Sequence, residues 1–67
     1  MSKIYYRGRA CRNIKYGTME AIEGVGKMKV NGEWVDCVIY HGRCRFTGKL
    51  TTFVKSVAEF EQDFELL

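Results

Sequence analysis

The sequence predicts a small β-rich α+β domain: four to five short antiparallel strands with a C-terminal α-helix. Three observations predict it. Asn31-Gly32 stands between two runs of alternating side chains, and Asn-Gly is the strongest short hairpin signal because both central residues of a type I′ turn need positive φ. Seven glycines and no proline punctuate the remainder into pieces of strand length. Ser56-Val57-Ala58-Glu59 reads as a capping box ahead of apolar residues at helical spacing.

Residues 3–7 alternate, with Ile4 and Tyr6 on one side and Lys3, Tyr5 and Arg7 on the other, which suits a first strand. Gly8-Arg9 interrupts it. Residues 10–16 continue as a second extended piece, and residues 18–23 as a third. Gly24-Val25-Gly26 marks a bulge or sharp bend. The two-residue loop then pairs Val30 with Glu33, Lys29 with Trp34, Met28 with Val35, Lys27 with Asp36 and Val25 with Val38. Opposed residues share a face. One face collects Met28, Val30, Val35, Cys37 and Ile39 and reads as core. The other collects Lys27, Lys29, Trp34, Asp36, Val38 and Tyr40 and reads as a contact surface. On it Lys27 reaches Asp36, and Lys29 lies against Trp34 as a cation–π contact worth roughly 0.5–1 kcal/mol when exposed. A slip of one residue would bury both lysines, so the register is firm.

The pattern turns irregular from His41-Gly42 to Gly48. Residues 50–55 form the last predicted strand. Behind the capping box, Val57, Phe60, Phe64 and Leu67 fall on one helical face. About ten residues cannot hold a helix alone in water, so this one must dock. It can lie across the Trp34/Val38/Tyr40 face and turn both sets into core. Alternatively it caps the end of the sheet and leaves Trp34 and Tyr40 exposed.

Sixty-seven residues make one domain, 1–67. A chain this short buries only about 60% of its unfolded surface, so its stability margin is thin. A hydrophobic fraction of 46% suffices for a packed core. No apolar run nears the roughly 18 residues of a membrane span, and the N-terminus lacks the apolar core of a signal peptide. Three cysteines leave any disulfide set with one unpaired. The expectation is a reduced, cytoplasmic protein with no membrane contact.

The net charge of +3 is unevenly spread. Residues 1–16 hold Lys3, Arg7, Arg9, Arg12 and Lys15 and no acid, whereas residues 57–67 hold Glu59, Glu61, Asp63 and Glu65 and no base. Mutual attraction of the two ends is the plain reading. A basic surface for phosphates is the functional one.

Chemistry is sparse. Cys11, Cys37, His41 and Cys44 would supply a Cys3His set for zinc. However, there is no Cys-x2-Cys knuckle, and Cys37 and His41 lie about 13 Å apart at strand rise. Neither a metal nor a cofactor is expected. With a single histidine and no orienting acid, nucleophilic catalysis is not expected either. Gly26-Lys27 is no phosphate loop, because Met28 stands where Ser or Thr must bind magnesium. Tyr5, Tyr6, Arg7, Arg9, Arg12, Lys15 and Tyr16, extended by Arg43 and Arg45, combine cations with stacking rings as single-strand binders do.

The β-then-α order resembles SH3-like small barrels or curled sheets. Trp34-x3-Val38-x-Tyr40, Phe53-Val54-Lys55, Glu59-Phe60 and Phe64 together resemble small SH3-like accessory proteins of bacteria and tailed phages, over roughly residues 17–67. That resemblance implies a non-enzymatic binding protein that modulates or inhibits a host macromolecule, in some cases a defence protein, by direct contact. The contact residues would be Trp34, Tyr40, Lys27 and Lys29 with Tyr5 and Arg7, and the partner a host protein. The alternative is a nucleic-acid or nucleotide binder using Arg7, Arg9, Arg12, Lys15, Tyr16, Arg43 and Arg45. A third reading is a self-assembling subunit paired along the uncovered edge of residues 3–7.

Overall fold

Asn31 and Gly32 adopt φ of 50° and 82°, so both central residues of the turn sit in the left-handed region that Asn and Gly tolerate. The strands flanking this turn form with the register that a two-residue loop dictates: Val30 opposes Glu33, Lys29 opposes Trp34, Lys27 opposes Asp36 and Val25 opposes Val38. A computed structural model describes residues 4–67. Its elements are β1 (Ala10–Asn13), β2 (Met19–Val30), β3 (Glu33–Arg43), β4 (Leu50–Ser56), α1 (Val57–Asp63) and β5 (Phe64–Leu66). They build one antiparallel sheet in the order β4-β3-β2-β1-β5. The outermost strands, β4 and β5, do not pair with each other, so the sheet is open and no barrel closes.

A register shift between Ile22 and Gly24 places one extra residue, Glu23, in β2. The bulge changes which side chains share a side. Beyond it Val25, Lys27 and Lys29 lie on the side of Trp34, Asp36 and Val38. Before it Ile22 opposes Tyr40 and joins that same side.

The core sits on this side. Cys11, Ile22, Val38 and Tyr40 from the sheet are sealed by Phe60 and Phe64 and by Tyr5, with Phe53, Val57 and Leu66 packed against them. Rings dominate it. Phe60 and Phe64 stack with centroids 4.7 Å apart, Tyr40 lies 4.9 Å from Phe64, and Tyr5 meets Phe60 edge-on at 5.6 Å. The prediction of a core on the opposite side, from Met28 to Ile39, is therefore reversed. There only Cys37 is buried, beneath a row in which Val30 is exposed and Met28, Val35 and Ile39 are half-exposed. The aromatic residues that seal the sheet select Tyr40, its cross-strand neighbour Phe53 and Ile22, and all three lie on the other side.

The capping box forms: Ser56 Oγ accepts from the Glu59 N–H, and Ser56 Oγ also donates to Glu59 Oε1 at 3.3 Å. The helix is shorter than its apolar spacing predicts. It ends at Asp63, and Phe64–Leu66 pair with β1 as a strand. Sheet pairing satisfies the backbone here better than another helical turn with acids at its negative end. The basic start and acidic end meet as neighbouring strands: Arg12 Nε lies 3.3 Å from Glu65 Oε2, and the Tyr5 hydroxyl donates to Glu61 at 3.0 Å.

Residues 4–7 form bends and a turn instead of the predicted strand, and Lys3 lies outside the described residues. The edge proposed for self-pairing is thus absent over residues 4–7; the open edges belong to β4 and β5. No described helix is long and apolar enough to cross a membrane.

Candidate functional site

Two regions collect exposed side chains of functional type. The first is the free end of the β2–β3 hairpin. β4 pairs with β3 only over Cys37–Arg43, and β1 pairs with β2 only over Met19–Ala21. The segment from Gly24 to Asp36 therefore projects as a two-stranded ribbon.

Trp34 is 66% exposed near its tip. The Lys29 ammonium lies 5.5 Å from the indole centroid, and Lys27 Nζ contacts Asp36 at 2.6 Å. That ion pair holds the Asp36 carboxyl below its ordinary value, first through the hydrogen bond and then through the charge of Lys27. The other side of the ribbon carries Met28, Val30 and Val35. No described residue packs over the indole as core, because α1 ends its reach at the Val38/Tyr40 level.

Three of the six residues predicted to form the contact surface, Trp34, Lys27 and Lys29, are brought together here. The other three are not. Tyr40 is 4% exposed and packs among Phe53, Phe60 and Phe64. Burial, then the nearby Glu20 charge, push its hydroxyl up to about 12. Tyr5 is buried against Phe60, and burial followed by the Glu61 bond raises its hydroxyl above the ordinary value. Both belong to the core, not to a contact surface. Arg7 is exposed in the turn beside Gly8, whose N–H donates to Ile22 O. That point lies about 23 Å along β2 from Lys29 at strand rise.

The second region lies at the opposite end of β3. The β1–β2 turn is fixed by Asn13, whose Oδ1 accepts from Tyr16 N at 2.9 Å and whose carbonyl accepts from Gly17 N at 2.7 Å. The β3–β4 loop is closed by Cys44 N donating to Lys49 O at 2.8 Å, and Arg43 Nη1 braces it through Gly48 O at 2.6 Å. Backbone N–H groups of Thr47 and then Phe46 point at the Cys44 sulfur and lower its thiol pKa.

Between turn and loop lies a groove of about 540 Å³. Its walls include Tyr16, Phe46 and Phe53, and Glu20 and Lys55 also line it. The Arg45 guanidinium sits 3.7 Å from the Tyr16 centroid and 5.8 Å from that of Phe46. The Lys15 ammonium also lies over the Tyr16 ring, 5.3 Å from its centroid. Lys15 and, less, Arg45 hold the Tyr16 hydroxyl below its ordinary value.

The seven residues of the nucleic-acid reading thus divide. Lys15, Tyr16, Arg43 and Arg45 gather around this groove. Arg7 stays in the turn beside Gly8, Arg9 donates to Ile4 O at 3.2 Å and lies over Tyr6, and Arg12 is tied to Glu65. Sequence reasoning missed Phe46, which is 89% exposed, and Glu20. The signal for Phe46 was an aromatic residue beside an arginine in a stretch without periodicity. Glu20 announced nothing, because its place depends on Gly42: a Cβ at position 42 would lie 2.2 Å from Glu20 Cγ.

Among the described residues no group of three or more histidine, cysteine or acidic side chains could hold a metal. The three cysteines are free. Cys11 is fully buried, and burial followed by Glu20 pushes its thiol up to about 11.

Fold and site together define a small open-sheet β protein with two exposed, cation-flanked aromatic surfaces. No protein-family model matches the chain, and no curated protein or solved structure matches it.

Proposed function

We propose that this protein is a non-enzymatic binding protein that modulates or inhibits a host macromolecule by direct contact, and that the β2–β3 ribbon is the contacting element. The observation that carries the reading is Trp34. A large indole held out at the end of a two-stranded ribbon contributes little to this core, whereas tryptophan is among the residues most enriched at binding hot spots. Lys29 and the Lys27–Asp36 pair frame it with polar groups, the arrangement of an anchor with a wet rim. Met28, Val30 and Val35 on the reverse side would widen the buried area if the partner grips the ribbon from both sides. The host-directed role, and an SH3-like kinship of the open sheet, rest on the resemblance drawn from Trp34 to Phe64.

The test is retention of host proteins on immobilised protein after nuclease treatment of the lysate. The native chain should retain a defined protein, and Trp34→Ala should lose it while keeping the same urea midpoint. Retention by both variants, or loss of all bound material on nuclease treatment, would overturn the reading.

A further inference from the structure

We propose that the groove between the β1–β2 turn and the β3–β4 loop binds single-stranded nucleic acid, seating one unstacked base against its aromatic wall. The groove is separate from the ribbon tip, which lies about 30 Å away along β3 at strand rise.

Three observations support it. The first is the supply of stacking planes. Phe46 is 89% exposed, and with Arg45 and Tyr16 it forms a series of ring, guanidinium and ring around the mouth of the groove. Exposed rings beside arginines are stacking platforms for unpaired bases, and a duplex, whose bases already stack on one another, has no face to offer them. The second is charge. Arg43 and Arg45 line the groove, Lys15 lies against the Tyr16 ring that walls it, and Lys55 is tied to Asp63 at 3.1 Å. The surplus of cations there suits a polyanion. The third is the polarity of the groove itself. Its one lining carboxylate, Glu20, is half-buried, so its charge repels phosphate from the interior and favours the positive N–H edge of a base. Phosphates therefore run along the rim, with the base pointing inward. A volume of about 540 Å³ falls within the range of small-ligand sites. Both loops are already fixed by internal hydrogen bonds, so little ordering is required on binding.

The experiment is fluorescence anisotropy with a short labelled mixed-sequence RNA or DNA single strand, the same sequence as a duplex, and free nucleoside monophosphates as competitors. The single strand should bind, and its affinity should fall between about 50 and about 200 mM salt with a log–log slope of about −0.7 per phosphate contacted. Phe46→Ala should weaken it roughly 5- to 100-fold, as expected for loss of one stacked base, and Trp34→Ala should leave it unchanged. Phe46→Ala should keep the native circular dichroism spectrum, because the ring it removes is exposed. No binding at low salt, equal affinity for the duplex, or an unchanged Phe46→Ala variant each overturns the proposal. Free nucleotides competing as well as the strand does would replace it with a small-molecule pocket.

Discussion

The two ends of the β2–β3 hairpin are made from the same pair of strands, yet one is core and the other is surface. At its base Ile22, Val38 and Tyr40 are closed over by Phe60, Phe64 and Tyr5. Toward its tip Lys27, Lys29 and Trp34 continue the same face, exposed and outside the core formed by the described residues. Along β3 pairing and alternation run unbroken from Trp34 to Tyr40, and the bulge at Glu23 brings Ile22 of β2 onto the same face. What differs is the reach of one seven-residue helix. Burial in this chain is thus decided by what docks, and strand pairing decides only which residues docking can bury.

The sharpest way to break the comparison is to truncate one large ring at each end. Phe60→Ala removes a ring that is 1% exposed and touches Tyr5, Tyr40 and Phe64. It should cost about 3–5 kcal/mol, comparable with the whole margin of a small domain. Trp34→Ala deletes a larger side chain and should change stability by no more than about 0.5 kcal/mol. Urea melts of the two variants decide the matter. Equal losses would mean that the indole is core.

Glycines sharpen it at the next level. At the base, a Cβ on Gly42 would come within 2.2 Å of Glu20 Cγ, 3.1 Å of Cδ and 3.2 Å of Oε1. Gly42→Ala must displace the Glu20 side chain near its stem and should cost about 1–3 kcal/mol. On the ribbon, a Cβ on Gly26 meets Ile39 Cδ1 at 3.5 Å and Cys37 Sγ at 3.7 Å, which is ordinary contact. Gly26→Ala should be neutral or gain up to about 1 kcal/mol from the unfolded chain's lost freedom. In a Glu20→Ala background the Gly42→Ala cost should shrink, and a double-mutant cycle measures the coupling.

These contrasts also separate what the sequence could disclose from what it could not. The hairpin and its pairs from Val30–Glu33 to Val25–Val38 were legible because Asn31-Gly32 sets positive φ locally and the loop length fixes the register. The Ser56 cap was legible for the same reason: its partners lie three residues away. The covered face was not, because it depends on contacts between Tyr40 and Phe60 or Phe64, twenty or more residues apart, and on the extra residue Glu23 that moves Ile22 to Tyr40's side. The contact of Lys29 with Trp34 follows from the register alone, whereas of the two arrangements open to the helix, covering that face or leaving it bare, the fold realises the first at Tyr40 and the second at Trp34. The groove was legible only in part. Its cations and Tyr16 stood out as residue types, but they come from two loops that only the folded sheet brings together.

The smallest effect distinguishes the two ends by the sign of their response to pH. Glu20, at the base, has its carboxyl raised above the ordinary 4.5, chiefly by burial and in spite of a bond from Thr18. In the window between the unfolded value and that raised value the native state holds a proton that the unfolded chain has released. Stability therefore declines as pH rises through this window and is level above it. Asp36, on the ribbon, is shifted the opposite way by Lys27. Its contribution is present above the ordinary value of 3.8 and is lost as pH falls through the lowered one. Glu20→Gln should accordingly raise the urea midpoint at neutral pH and flatten the decline, with no advantage remaining below the ordinary carboxylate range. Asp36→Asn should alter only the acid limb, and added salt should erase its effect because the pair is open to solvent. If Glu20→Gln instead lowers the midpoint at neutral pH, the charged carboxylate is being stabilised by the folded protein, and the groove holds a favourable site for an anion where its geometry argues for a base edge.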